Sequence, residues 1–468
     1  MNALIVLSSL GLLALLAEIA RLRKFIFPLV MVGLAATIFV CVYDWRDGEM
    51  PALPEIFNNM IRFDKYAAAF TVLICFIGLL WFVMSNHYIQ TETSVSDHFV
   101  LAIFSITGAV MLVSFNNLTM FFLGVEILSI PVYVLAGSRK ENLASNESAF
   151  KYFLMGSFAS AFLLFGIAFL YGATGSFDLQ NISNALYDNP SAQPAFLYTG
   201  VILILVGLSF KVSLAPFHAW APDVYSGAPT AVTAFMATIV KIAAFAAFFR
   251  LMAYSLMYVN ETWLNVLLVL SALSLIIGNV TAVFQDSVKR MLAWSGISHA
   301  GFMVMAIIAM NIGSVSSIFY YATAYALASI VAFSVLLTLF PGDEKASFDR
   351  FNGLGKKNPL LAFGMTVAML SLAGIPPVAG FFAKYHILSS MLTGGSKWTL
   401  LLAIVAILSS LVGVYYYFRV IINMYFRTGD ESPVELKLSH RLLLIACVMM
   451  LIVLGLYPDL LLEIKLVP

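Results

Sequence analysis

Apolar runs of about 20 residues recur from one end of this chain to the other, and they leave little choice of fold. Coiled as helices rising 1.5 Å per residue, such runs match a hydrocarbon core about 30 Å thick. Inside that core no water satisfies backbone N–H and C=O groups, so each segment must close its own hydrogen bonds as a helix. Composition agrees: 62% of the 468 residues are hydrophobic and 10% are charged, too few to cover a soluble domain of this size. The expectation is an all-α polytopic membrane protein whose surroundings are the lipid bilayer. Net charge is +1, which excludes a nucleic-acid partner. Cys41, Cys75 and Cys447 are scattered and form no CxxC pair, so the expectation is no metal or iron–sulfur site in this chain. The run at 3–20 lacks a basic leader and a small-residue cleavage site and reads as a retained helix.

Between polar punctuation the apolar runs number about fourteen. They lie near 3–20, 25–43, 66–84, 98–115, 117–136, 147–172, 196–216, 228–254, 262–284, 288–310, 315–340, 358–393, 398–426 and 440–460, the twelfth long and interrupted. The positive-inside rule orients them. With the N-terminus on the outer, periplasm-like side, the inner loops hold Arg21, Arg23, Lys24, Arg139, Lys140, Lys289, Arg290, Lys345, Arg350, Lys356, Lys357, Arg427, Lys437 and Arg441. The outer side holds only Arg46, Arg62, Lys65, Arg250, Lys397 and Lys465. Both termini are therefore expected outside.

Five basic residues remain within spans: Lys151, Lys211, Lys241, Lys384 and Arg419. Among the acids only Glu126 lies deep in one. A lysine at the centre of a membrane helix costs about 2.5–3.5 kcal/mol on insertion scales. Arg419 is near enough to its helix end to snorkel. Lys151 follows Glu147 by four residues, a spacing that favours an ion pair. Lys241 has about a dozen apolar or small residues on either side and cannot reach water, a burial that argues for function.

Lys211 lies close to Pro216, which removes a backbone donor and breaks the helix. Broken helices at mid-membrane depth are how transporters build ion sites. The twelfth span repeats the device: "LSLAGIPPVAGFFAKYHIL" places Pro376 and Pro377 before Lys384, and its "SLAGIPP" echoes "SLAPFH" of the seventh. Two interrupted helices with adjacent lysines, five spans apart, suggest an inverted repeat of helices 4–8 and 9–13. The expected organisation is residues 1–95 (helices 1–3), 96–255 (first repeat), 256–426 (second repeat) and 427–468 (helix 14).

Burial disfavours the charged form of a lysine and a nearby carboxylate favours it, so a lysine between those influences can gain and lose a proton. A row of them joined by waters and imidazoles is a switchable proton wire. His299, mid-span in "WSGISHAGF", is placed to relay between Lys241 and Lys384. His218 and His386 flank the breaks and read as structural. "GLGKKN" at 353–358 lacks the P-loop spacing and its Ser/Thr, and no dinucleotide fingerprint is present. The driving energy must come from an ion gradient or from partner subunits.

Here the residues become familiar. "FKVSLAPFHAWAPDVYSGAPTAVTAFMATIVKIAAF", "GVEILSIPVYVLAG", "SAFKYFLMGSFASA", "SVKRMLAWSGISHAGF" and "LSLAGIPPVAGFFAKY" resemble, in order, the subunit N family of bacterial respiratory complex I. That family is the counterpart of mitochondrial subunit 2. The resemblance implies a proton channel in the membrane arm of an NADH:quinone oxidoreductase, multi-pass in the bacterial inner membrane. It implies that NADH, FMN, iron–sulfur clusters and quinone are bound by partner subunits and no cofactor by this chain. The neighbours would be another antiporter-like subunit and small membrane subunits. By the resemblance Glu126, Lys211, Lys241 and Lys384 fall on the family's helix-5, helix-7, helix-8 and helix-12 charges, and Lys151 on a helix-6 lysine. A subunit of a multi-subunit sodium/proton antiporter, or of a membrane-bound hydrogenase, shares the ancestral fold and the lysines.

Two expectations are open to direct test. Glu126 and Lys211 should lie within ion-pair reach, directly or through water. Single cysteines in residues 341–357 should label from the side opposite the N-terminus; labelling from the same side would overturn the orientation.

Overall fold

The computed structural model describes residues 2–46, 60–90, 95–189, 193–311, 313–342, 346–393, 396–429, 433–464 and 466. Lys345 and Lys465, and the side chain of Arg46, lie outside the described residues. Everything long is helical: α1 (Asn2–Ile19), α2 (Arg23–Arg46), α3 (Lys65–Gln90), α4 (Val95–Ser114), α5 (Leu118–Ala136), α6 (Leu143–Thr174), α7 (Leu179–Asp188), α8 (Pro194–Lys211) and α9 (Trp220–Gly227). α10 (Thr230–Phe235) passes through a π turn, Met236–Val240, into α11 (Lys241–Tyr254). Then come α12 (Asn260–Val283), α13 (Val288–Ala309), α14 (Ser314–Leu339), α15 (Leu354–Lys357), α16 (Pro359–Ala373), α17 (Ala379–Thr393), α18 (Lys397–Phe426), α19 (Leu438–Leu456) and α20 (Asp459–Leu462). Among the described residues, thirteen helices are long and apolar enough to cross a membrane.

Local chemistry sets the ends. Asn117 accepts from Thr119 N at 2.8 Å to cap α5, and Asn142 accepts from Ala144 N and Ser145 N to cap α6. α8 stops at Lys211, five residues short of the expected end. Pro216 cannot donate, and the chain between α8 and α9 is held partly by Ala215 N donating to Ser274 Oγ at 2.9 Å. α16 stops at Gly374, whose φ of 81° is the left-handed conformation a glycine adopts freely. Pro376 and Pro377 follow, and α17 starts at Ala379, so the segment expected at 358–393 is two helices of 15 residues each. The amphipathic α7, with Leu179, Ile182, Ser183 and Leu186 buried at helical spacing, was not anticipated.

Residues 230–252 are all buried and form the middle of the bundle. α13 and α14 pack around it, whereas α1, α2, α6 and α18 turn apolar faces outward. Connections meet at two opposite ends. At one, Arg62 N donates to Ser114 O and Leu118 N to Phe177 O. At the other, Val288 N donates to Ala346 O and Lys289 Nζ to Ala228 O.

One charge corrects the sequence reading. Arg250, expected at the outer surface, is 1% exposed within α11. It grips Asp64 with both terminal nitrogens, at 3.2 and 2.8 Å, and its Nη1 also donates to Val113 O at 3.1 Å. Hydropathy places Arg250 near a helix end, but residues 61–64 fold over that end and seal it. Lys289, expected in a loop, is likewise buried on Ala228 O. Removing one partner of a buried pair leaves an uncompensated charge, so Asp64→Ala should cost about 3–5 kcal/mol. A joint Asp64→Leu, Arg250→Met replacement should recover most of it. Thermal melting of the purified complex checks this; equal melting temperatures for wild type and Asp64→Ala would refute the seal.

Candidate functional site

Lys211 is the last residue of α8, 7% exposed, with its ammonium 6.0 Å from the Tyr133 ring centre. It donates to Ser129 Oγ at 2.5 Å. Ser129 is one turn beyond Glu126 on α5, and Glu126 accepts from Ser160 Oγ on α6 at 2.5 Å. Among the described residues Glu126 and Lys211 form no direct ion pair, each holding a serine. Of the two expected forms of approach, direct or through water, the direct one is therefore absent. Ser129, Ser160 and Lys211 line a cavity of about 10 Å³, close to the room one water needs.

Lys241, at the start of α11 and 4% exposed, donates to Gly296 O of α13 at 2.5 Å and lies 5.4 Å from the Tyr325 ring centre. Lys384 on α17 donates to Ala373 O and to Ser410 Oγ of α18, both at 2.8 Å. The first acceptor has a specific origin. Ala373 O would normally receive the N–H four residues on, but that residue is Pro377, which has none. Its Lys384 partner fills that gap. Among the described residues none of the three lysines forms an ion pair.

His299 stands among these groups without touching either lysine. Its Nδ1 lies 2.7 Å from Tyr321 Oη and its Nε2 3.1 Å from Tyr417 Oη, and the ring sits 4.9 Å from that of Tyr325, which also lies under Lys241. Tyr417 is hydrogen-bonded to Ser295 in turn. With Tyr321, Tyr325, Ser371 and Lys384, His299 lines a second cavity of about 10 Å³. Asn279 extends the buried polar chain, accepting from Tyr416 Oη at 2.8 Å and donating to Ser298 Oγ at 2.7 Å.

Lys151 stands apart from this row. It pairs with Glu147 at 2.6 Å, as the spacing suggests, and with Asp223 on α9 at 3.0 Å, and its side chain is 38% exposed. Asp223 also holds Arg290 at 3.0 Å, so one carboxylate ties α6 to α13. Arg419 donates to Gln285 O at 3.0 Å, with its guanidinium 3.9 Å from the Phe348 ring centre. Sequence reasoning missed Asp223, which hides in a proline-rich connection. It also missed Ser129, Ser160, Tyr321, Tyr325 and Tyr417, since hydroxyls in apolar helices signal nothing until the fold brings them together.

The class the fold defines is an all-helical polytopic membrane protein, and it carries lysines on neutral acceptors in its interior. Comparison makes that specific. A family model described as NADH:quinone oxidoreductase/Mrp antiporter, TM, matches residues 115–411. The NADH-quinone oxidoreductase subunit N of Cytophaga hutchinsonii is 43% identical, covering 99% of each chain. A chain of respiratory complex I from Thermus thermophilus superposes with a TM-score of 0.85 at 32% identity, covering 98% of each chain. A chain of the Mrp complex from Dietzia superposes equally well, with a TM-score of 0.86, but at 18% identity it shares the fold alone. The chain belongs to the NADH-quinone oxidoreductase subunit N family.

The position of Lys384 depends on how closely α17 approaches α16. Gly380 N donates to Ser371 Oγ at 3.1 Å, and a Cβ on Gly380 would lie 1.7 Å from Ser371 O. Gly380→Ala must push the helices apart and pull Lys384 off Ala373 O, costing at least about 1–3 kcal/mol. Complex abundance on native gels and proton pumping should both fall; parental values for both would show that this contact does not position the lysine.

Proposed function

We propose that this chain is a proton-translocating membrane-arm subunit of a bacterial NADH:quinone oxidoreductase, multi-pass in the inner membrane with both termini outside. The observation that carries the reading is the row of three ammonium groups, Lys211, Lys241 and Lys384, held on neutral acceptors inside a chain of this family. A lysine clamped by a carboxylate stays charged, whereas one on a hydroxyl or carbonyl can release its proton and remain hydrogen-bonded as an amine. Glu126 modulates Lys211 across the first cavity. Lys211 exchanges protons with Lys241, and His299 links Lys241 to Lys384 across the second. Lys151 biases the inner end from its cluster with Asp223.

The organisation follows from the same reading. α8 with α9, and α16 with α17, are the interrupted helices 7 and 12 of fourteen spans. Helices 4–8 (residues 96–255) and 9–13 (256–426) form the inverted repeat, flanked by residues 1–95 and 427–468. Close packing of α4 on α5 in one half, and of α12 on α13 in the other, supports the correspondence. NADH, FMN, iron–sulfur clusters and quinone belong to partner subunits, and a second antiporter-like subunit and small membrane subunits adjoin this chain. Quinone reduction elsewhere drives the proton steps.

Replacing Lys211, Lys241 or Lys384 with Ala removes a desolvation cost of about 2.5–3.5 kcal/mol, so assembly should survive while pumping is lost. Arg at these positions should also fail, since guanidinium does not deprotonate in proteins. Lys151→Ala and Arg419→Ala should be milder. Proton pumping and quinone reduction in membranes, with abundance from native gels, are the readouts. If Lys211→Arg pumped at the parental rate in an assembled complex, titration of Lys211 would have no part in the mechanism.

A further inference from the structure

We infer that protons leave this chain along a stripe of hydroxyl groups on α14, through Tyr321, into a polar cavity at the end of the bundle where α14 begins. The inference rests on the reading of Lys241 and Lys384 as proton carriers. Ser317, Tyr321, Tyr325 and Ser329 recur every fourth residue and so share one face of α14, and none is more than 6% exposed. Four hydroxyls at this spacing place one polar face on a largely apolar, buried helix. Its central member, Tyr325, lies under Lys241 and beside His299. One turn on, Tyr321 Oη is 2.7 Å from His299 Nδ1. One turn further, Ser317 lines a cavity of about 820 Å³. From Tyr325 to Ser317 is about 12 Å of helix, close to half a hydrocarbon core.

The cavity suits a proton outlet. His386, Asp459 and Glu463 share its wall with Asn311, so two carboxylates and an imidazole face water there. Carboxylates at a mouth raise the local concentration of cations and accept protons transiently. No comparable path leaves Lys241 along its own helix. α10 and α13 begin at the same end, where Lys289 reaches Ala228 O, so α11 and α13 both finish at the end holding the cavity. Outward from Lys241 the same four-residue spacing gives Phe245, Phe249 and Ala253, which offer no side-chain donor or acceptor. The end itself is closed by the Arg250–Asp64 ion pair, whose guanidinium does not give up a proton.

Each step conserves protons. A proton taken up by the His299 imidazole leaves from Nδ1 to the Tyr321 oxygen, while Tyr321 passes its own proton to a water between it and Ser317. Rotation of the hydroxyl resets the path. Residues one turn apart are neighbours on a helix surface, with Cβ atoms about 5–6 Å apart, so Ser317 is the next hydroxyl-bearing residue along this face.

The test uses membrane vesicles carrying the whole complex and measures protons pumped per quinone reduced. Tyr321→Phe keeps the ring and deletes the relay; pumping should fall severalfold at unchanged abundance, and Ser317→Ala should lower it less. Lys384→Ala is measured alongside. If Lys384→Ala loses pumping while Tyr321→Phe keeps the parental ratio, the outlet is wrong and the lysine reading stands. If both keep it, the outlet falls together with that reading. Should Tyr321→Phe fail to assemble, Ser389→Cys on the cavity wall decides the matter. A charged, membrane-impermeant thiol reagent added from the cavity side should lower its pumping relative to the unlabelled variant, and an unchanged ratio overturns the outlet. Cys41, Cys75 and Cys447 are buried and do not compete for reagent.

Discussion

A helix that ends inside hydrocarbon leaves carbonyl groups without donors, and an ammonium group there lacks acceptors. In this bundle the two deficits meet. Pro377 withholds the N–H that Ala373 O would receive, and Lys384 supplies one. Lys211 occupies the final position of α8, where the chain leaves the helix, and finds its partner on α5. At the second break the interruption thus does more than bend the chain, since it leaves a backbone carbonyl that Lys384 takes up.

The cations differ in partner. Near the ends, Arg250 and Lys151 hold carboxylates, while Lys289 and Arg419 donate to backbone carbonyls. Lys211, Lys241 and Lys384 hold hydroxyls and carbonyls. An ion pair at an end ties helices together, while an ammonium on neutral acceptors has no counter-charge bound to it. The acceptor that the fold provides thus separates a lysine locked in an ion pair from one held on neutral groups.

Much of this was legible in the sequence, for physical reasons. Hydropathy located every long helix because burial in lipid demands length and apolarity together, and Pro216 and Pro376–Pro377 marked the interruptions because proline removes a donor. Lys211, Lys241 and Lys384 stood out because charge in such runs is rare. What stayed hidden depends on tertiary approach. Arg250 looked peripheral until residues 61–64 folded across it. Glu126 and Lys211 were expected within reach directly or through water, and only the fold shows Ser160 and Ser129 holding their direct hydrogen bonds. Asp223 looked like a loop residue, and α7 is too short for a hydropathy signal.

The π turn at Met236–Val240 has a consequence for register. A π turn accommodates one residue more than α-helical winding does, so it offsets everything beyond it by about 100° relative to a continuous α-helix. Lys241 is the first residue after the turn, and its approach to Gly296 and Tyr325 depends on that offset. The face α10 presents and the direction of Lys241 are therefore set separately on one continuous span. A chain lacking a single residue there would keep its hydropathy, length and lysine, yet would aim the ammonium at a different neighbour.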